Sequence, residues 1–304
     1  MTSGENHPMN ISEIKPRADL SNANFEGQIL AGIDLSGVNL GHANLAKANL
    51  RGSYLTRANI GDADFSGADL TGSYFIETIL VTNGLRDGSF LNLNWSAVSF
   101  EGANLTNANF AGAELHFSNF KQCVGDHAIF TAADLTSANL EGAQLQHASL
   151  KGAMMSGARL VNADLQWANL YRAQLLNVMM EGVNLGNAMC FGAEFNCSHP
   201  NRANFRDADL RYANFDSACA MWSTFENADL TCAVMENANF LSANFKKADL
   251  SFANLQGANL TDVDFSEADM TSANLTGANL TGANLTAANL ESADLTNAKM
   301  PRGF

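Results

Sequence analysis

Residues 268–297 read ADMTS-ANLTG-ANLTG-ANLTA-ANLES-ADLTN, six consecutive units of five that each open on Ala, then Asn or Asp, then Leu or Met. Carrying that phase outward decides the fold. Taking every fifth residue from Leu20 to Met300 gives 57 positions, of which 53 hold Leu, Phe, Ile, Met or Trp. The exceptions are Gly125, Cys190, Pro200 and Ala220. Two residues before each lies a small site, Ala at 40 of the 57, and the residue between them is mostly Asn or Asp. An array that keeps one phase for so long is a single repeat solenoid, whatever its length would suggest about domain number.

A period of five matches neither a helix, which repeats about every 3.6 residues, nor a strand, which repeats about every 2. Each unit therefore needs a short extended piece and a turn. The large residue points inward, and the neighbouring Ala is small because one narrow interior must hold both. Asn and Asp bond to nearby backbone and so favour turns. Thr follows the large residue often, where a β-branched side chain suits extended backbone. If four pentads close a coil, residues four pentads apart stack at about 4.8 Å. Opposite charges then meet in Glu101–Lys121–Glu141, Arg206–Glu226–Lys246, Arg57–Glu77 and Lys247–Glu267. Phe205, Phe225, Phe245 and Phe265 form one column, and Phe90, Phe110 and Phe130 another. Seven pairs of core Phe lie 20 residues apart against two at 15, which favours four sides over three.

The remaining composition suits such a rod. Hydrophobic residues make up 46% of the chain, charged residues only 16%, and there are 4 prolines. A formal charge of −14 argues against a general nucleic-acid binder, which needs a basic stripe, and favours solubility and basic partners. The five cysteines (Cys123, Cys190, Cys197, Cys219, Cys232) are odd in number with no CxxC pair, as expected of spare thiols in a reducing cytoplasm. The N-terminal MTSGENHPMNISEIKP has no apolar signal stretch, and no long apolar run follows. A cytoplasmic protein that does not engage a membrane is expected.

The A-[DN]-L-x-x pattern, over roughly residues 16–300, resembles the pentapeptide-repeat proteins. That resemblance implies an all-β fold, a right-handed quadrilateral β-helix of about 14 coils and near 70 Å long. On it, residues 1–16 form an N-terminal cap or tail, 17–300 the β-helix and 301–304 a C-terminal tail. The regular array, short polar N-terminus and MPRGF ending are similar to cytosolic members from cyanobacteria, whose roles are mostly regulatory through protein contacts.

Departures from a perfect array are where function would sit. Residues 76–99 keep the phase but lose the small residue at Asn83, Gly88 and Leu93, and Asn83-Gly84 and Asp87-Gly88 are turn signals, which predicts an irregular coil. Near 123–128 the core residue is missing at Gly125; His127, His147 and Trp167 are spaced to stack as an exposed ladder. Cys123 is close by, but the spacing matches no structural metal site, so no metal is expected. Near 196–222, Pro200 and Ala220 fail on one face. Proline cannot donate to a ladder, so a bulge is expected there. Cys197 and His199 lack the orienting third residue and oxyanion loop of a nucleophilic site.

Outward positions between about 160 and 255 carry Trp167, Tyr171, Arg172, Phe191, Arg211, Tyr212, Met221, Trp222, Leu241 and Phe252 in place of small polar residues. Tyr171, Phe191 and Arg211 share one column, with Arg172, Tyr212 and Phe252 in the next. Aromatics and Arg are enriched at interface hot spots, which makes Trp167, Tyr171, Arg172, Phe191, Arg211, Tyr212, Trp222 and Phe252 the candidate surface for a protein partner. Asp209, Asp229, Asp249 and Asp269 form an acidic column, each able to bond its own backbone or to imitate a phosphate strip. A non-enzymatic scaffold is therefore expected, with no cofactor and no direct nucleic-acid binding. The alternative is a DNA mimic acting on gyrase or topoisomerase IV, as the quinolone-resistance members of the family do. Against that alternative stand the lack of a C-terminal dimerisation segment and the basic residues Arg202, Arg206, Arg211, Lys246 and Lys247. An uncovered last coil also predicts end-to-end homodimers.

Overall fold

The computed structural model describes residues 14, 15, 17–79 and 98–303. Each pentad is a three-residue extended stretch followed by a two-residue turn. Parallel bridges join residues 20 apart, from Asp19↔Asn39 to Asn279↔Lys299, so four pentads make one turn of the coil. Among the described residues no helix is long and apolar enough to cross a membrane.

Backbone donors explain why the repeat takes this form. In the pentad beginning at Leu40, the Leu40 and His42 N–H groups donate to Asn59 and Gly61 one coil on, at 2.8 and 2.9 Å. Asn44 N–H donates to Ala23 one coil back at 2.9 Å, and Ala43 N–H closes the turn on the Leu40 carbonyl at 2.9 Å. The fifth donor, Gly41 N–H, is taken by the Asn39 side-chain Oδ1 at 3.1 Å. All five are satisfied, as a narrow all-β rod requires. Asn and Asp are therefore ladder residues whose side chain caps the following turn, rather than turn residues themselves. Their amides add a second, outer ladder, with Asn59 Nδ2 donating to Asn39 Oδ1 at 2.8 Å and Asn39 Nδ2 to Asp19 Oδ1 at 2.9 Å. Only the second turn residue has positive φ, as at His42 (59°), which is the type II arrangement.

The capping carboxylates make stability depend on acid. The Ser36 hydroxyl and then its N–H hold Asp34 below the ordinary carboxylate range, and Thr296 does the same for Asp294. A carboxylate whose folded pKa is lowered contributes stability that is complete above its unfolded value and lost as pH falls through the folded one. The melting temperature should thus hold constant from neutral pH down to about 4 and fall below it. A flat profile to pH 2 would show that the caps contribute nothing.

The stacked charges come out largely as spaced. Lys121 pairs with Glu141 at 3.4 Å, Arg57 with Glu77 at 2.7 Å and Lys247 with Glu267 at 3.6 Å; Arg206 also pairs with Glu226. Lys246 differs, reaching Glu267 at 3.8 Å, because a flexible stem can choose either neighbouring coil. Glu101 accepts from Asn119 Nδ2 at 3.0 Å.

One step in the ladder is longer. Asp64, Asp69 and Tyr74 pair with Ser99, Asn104 and Asn109, a spacing of 35 and three pentads more than a coil. The coil of residues 60–79 and the one continuing from Val98 are direct neighbours. The five-residue phase thus persists in sequence while the stacking skips part of it. Asn83, Gly88, Leu93 and Phe90 lie outside the described residues. Phe110 stacks on Phe130 as expected, at 5.0 Å, and on its other side on Phe75 at 4.7 Å.

The missing core residues share one setting. Phe120 and Phe130 point in from opposite sides and meet edge to face at 5.6 Å, with Gly125 on the side between them. Pro200 lies likewise between Phe195 and Phe205 (5.7 Å), and Ala220 between Phe215 and Phe225 (5.8 Å). Facing rings alone do not require a small residue, since the fully buried Leu105 and Leu210 stand between Phe100 and Phe110 (5.5 Å) and between Phe205 and Phe215 (5.6 Å). The vacancy at Gly125 is filled from the next coil, where Leu145 Cδ2 lies 2.8 Å from the place a Cβ would occupy. The bulge expected at Pro200 does not form. Pro200 gives no N–H to Cys219, and the Met180 N–H to His199 bond stretches to 3.4 Å. Yet Cys219 N–H still reaches Ser198 at 2.9 Å and Arg202 N–H reaches Met221 at 2.9 Å, so the register holds.

Candidate protein-binding surface

The paired turn residues of successive coils form four corners along the rod. One corner carries the column Lys151, Tyr171, Phe191, Arg211, with Arg172 and Tyr212 beside it. The Tyr171 and Phe191 rings are parallel within 11°, centroids 5.6 Å apart. Lys151 Nζ lies 5.4 Å from the Tyr171 centroid and Arg211 Cζ 5.6 Å from that of Phe191, so a cation caps each end of the stack. Arg172 Cζ adds a further contact to Tyr171 at 5.3 Å, and Tyr212 leans onto Phe191 at 5.2 Å and 49°. Gly192, between Arg172 and Tyr212 in their column, has no side chain to fill that gap; Arg172 Cγ passes 3.5 Å from where its Cβ would be. Arg211 is fixed by two 2.8 Å bonds to Asp209, whose carboxyl this guanidinium holds below the usual range.

Shallow hollows flank this ridge on both adjoining faces. One, about 530 Å³, is lined by Arg172, Gln174, Leu176 and Glu194 among others. The other, about 270 Å³, is lined by Lys151, Asn169, Met189 and Asp209 with the ridge rings. A third of about 500 Å³ opens on a different face around Arg159, Met179 and His199.

The predicted surface is thus not one patch. Tyr171, Arg172, Phe191, Arg211 and Tyr212 come together, and Phe252 continues their corner two coils further on. Trp167 belongs to the next corner, where His127 stacks on His147 at 4.8 Å and His147 on Trp167 at 5.1 Å, as the spacing predicts. Trp222 lies diagonally opposite the ridge, under Arg202 at 5.6 Å. Ligand atoms of Asp126, His127 and His147 lie within 4.8 Å of one another. The two imidazole planes are parallel within 12°, however, so their in-plane lone pairs run side by side. A shared ion would need both nitrogens converging at about 2.0–2.1 Å. Cys123 is an inner residue, its thiol pushed up to about 12 by burial.

Two local rules are broken along these middle coils. The second turn position, with its positive φ, suits glycine, yet it holds Trp167 (57°), Arg172 (52°), Tyr212 (57°), Trp222 (57°) and Phe252 (60°). Bulky side chains there cost on the order of 1 kcal/mol each. Phe252→Gly should therefore raise folding stability by about 0.5–1 kcal/mol, read by chemical denaturation; a loss of similar size would refute the strain. The second broken rule concerns the ladder position, where Asn or Asp caps the turn. Met154, Met179 and Met189 stand there, all exposed. These and Leu176 escaped a search for aromatics and Arg; a scan of the Asn/Asp position alone would have found the three methionines.

A family model for pentapeptide repeats matches residues 18–72, 96–124, 128–187 and 190–300. No curated protein matches. Among solved structures, HetL, a pentapeptide repeat protein involved in heterocyst differentiation regulation from the cyanobacterium Nostoc sp., is 29% identical over 88% of this chain and 92% of its own, with a TM-score of 0.26. Full-length QnrB1, a plasmid-mediated fluoroquinolone resistance protein, is 20% identical over 66% of this chain and 93% of its own, with a TM-score of 0.39. Rfr23, from the cyanobacterium Cyanothece, is 27% identical over 40% of this chain and 65% of its own, with a TM-score of 0.20. The repeat, the ladder and the matched residues coincide: the chain belongs to the pentapeptide-repeat family, which implies the right-handed sense of its β-helix.

Proposed function

We propose that the protein is a non-enzymatic scaffold that binds a protein partner through the corner built on Tyr171, Phe191 and Tyr212. The carrying observation is what this corner displays: Tyr171, Phe191 and Tyr212 with Arg172 and Arg211 stand where small polar residues are usual, and the methionines Met154, Met179 and Met189 are exposed on the coils around them. Strain kept at defined positions supports a functional reading, and aromatic, Arg and Met side chains suit interfaces. A pull-down from the native cell with the wild-type protein and with a Tyr171→Ser, Phe191→Ser, Tyr212→Ser triple variant tests this. Loss of specific partners is expected; recovery of the same partners by the variant would rule this corner out.

A second reading, a DNA mimic acting on gyrase or topoisomerase IV, draws on the unbroken bridge column Asp209–Asp229–Asp249–Asp269. Its charges are partly claimed, since Arg211 reaches both Asp209 and Asp229, at 2.8 and 3.5 Å. A charge of −14 along about 70 Å is also roughly one per 5 Å, far below the one per about 1.7 Å of duplex DNA. Inhibition of gyrase supercoiling at micromolar protein would favour the mimic over the scaffold.

A further inference from the structure

From Lys47 to Lys247, every described lysine and arginine sits in an ion pair except two, Lys151 and Arg172. Both lie on the same corner and converge on the same ring, Lys151 Nζ at 5.4 Å and Arg172 Cζ at 5.3 Å from the Tyr171 centroid. In a chain with 31 acidic residues to 17 basic ones, two neighbouring cations left without a carboxylate need a reason. Of the carboxylates nearby, Asp209 holds Arg211 at 2.8 Å, and Glu194 makes no ion pair, its Oε2 accepting from Asn214 at 2.9 Å.

Backbone donors point the same way. Where an Asn or Asp precedes the turn it takes the first turn N–H, as Asn169 Oδ1 does for Tyr171 at 3.0 Å. Met189 and Gln174 stand at the corresponding positions before Phe191 and Leu176. Among the described residues, neither Phe191 nor Leu176 N–H has an intramolecular acceptor. Around the ridge, two cations without an ion pair and two free N–H groups thus stand beside one unpaired carboxylate, Glu194, set against exposed aromatic and aliphatic surface.

We propose that this corner recognises an acidic segment of a partner protein carrying an aromatic or branched apolar side chain next to its carboxylates. The apolar side chain would lie against Phe191 and Tyr212, with a carboxylate reaching Lys151 and Arg172 across Tyr171. Charge complementarity of this kind sets specificity and association rate. A nucleic acid offers anions too, but its whole backbone would face a rod of charge −14. The inference rests on the scaffold reading and adds the chemistry of the partner to it.

The test is a random peptide phage library panned on the full chain, followed by anisotropy titrations of synthetic selected peptides. Each peptide is titrated against wild type, Lys151→Gln/Arg172→Gln and Phe191→Ser/Tyr212→Ser, after thermal melts show all three folded alike. We expect a consensus of Asp or Glu beside an apolar residue, affinity that weakens with salt, and a loss of about tenfold or more in each double variant. Peptides that need Phe191 and Tyr212 but ignore Lys151 and Arg172 would overturn the inference and leave the scaffold reading standing. Peptides indifferent to both double variants, or no selected peptides at all, would overturn both.

Discussion

The Gly125→Leu variant is expected to lose about 3 kcal/mol of stability, the upper end of ordinary overpacking. Gly125 has an ordinary φ, so the cost is steric alone: a Cβ there already lies 2.8 Å from Leu145 Cδ2 and 3.4 Å from Ala128 Cβ. The complementary change, Leu145→Ala, removes the group that fills the space and should cost about 2–5 kcal/mol by leaving a cavity. Combined, the two changes put a leucine on one coil and an alanine on the other. The double variant should be more stable than the sum of the single losses by at least about 2 kcal/mol, a coupling of the size seen for residues sharing one cavity. Additive losses in a chemical-denaturation cycle would mean that Gly125 is small for some other reason.

Phe225→Ala should be as damaging, at about 3–5 kcal/mol. Phe225 is fully buried and stacks face to face on Phe205 at 4.8 Å and on Phe245 at 4.5 Å. Its edges meet Phe215 at 5.8 Å and Phe240 at 5.7 Å, so truncation removes two stacked and two edge contacts together. Because each coil touches only its neighbours, the damage should stay local. Hydrogen exchange should show faster opening in the coils on either side of residue 225, with coils near residues 45 and 280 unchanged. Uniform loss of protection along the rod would show that it unfolds as one unit.

The period of five alone made the coil legible, because only a three-residue strand and a two-residue turn fit it. The four-sided closure also lay in the sequence, in charges and rings repeated every fourth pentad. Two features did not. The longer step between Asp64 and Ser99 is invisible to periodicity, since an extra three pentads leaves the phase intact. Gly125, Pro200 and Ala220 look like breaks along the sequence, and only the coil shows that each faces two phenylalanine rings. The candidate surface was half legible. Columns such as Tyr171 and Phe191 follow from the register, but which corners adjoin is a property of the closed coil; this is why Trp222 parted from the rest. Met154, Met179 and Met189 went unseen because methionine in an apolar-rich repeat draws no notice until its position is known to be outward.

On the proposed function the middle coils meet a partner, and the regular coils after Phe252 serve as scaffold. Site-specific photocrosslinking in the native cell tests it most directly, with a photoreactive phenylalanine analogue at position 212 or at position 281. Both replace exposed turn residues. Discrete adducts from position 212 and none from position 281 are predicted; adducts of equal yield from both, or from position 281 alone, would contradict it.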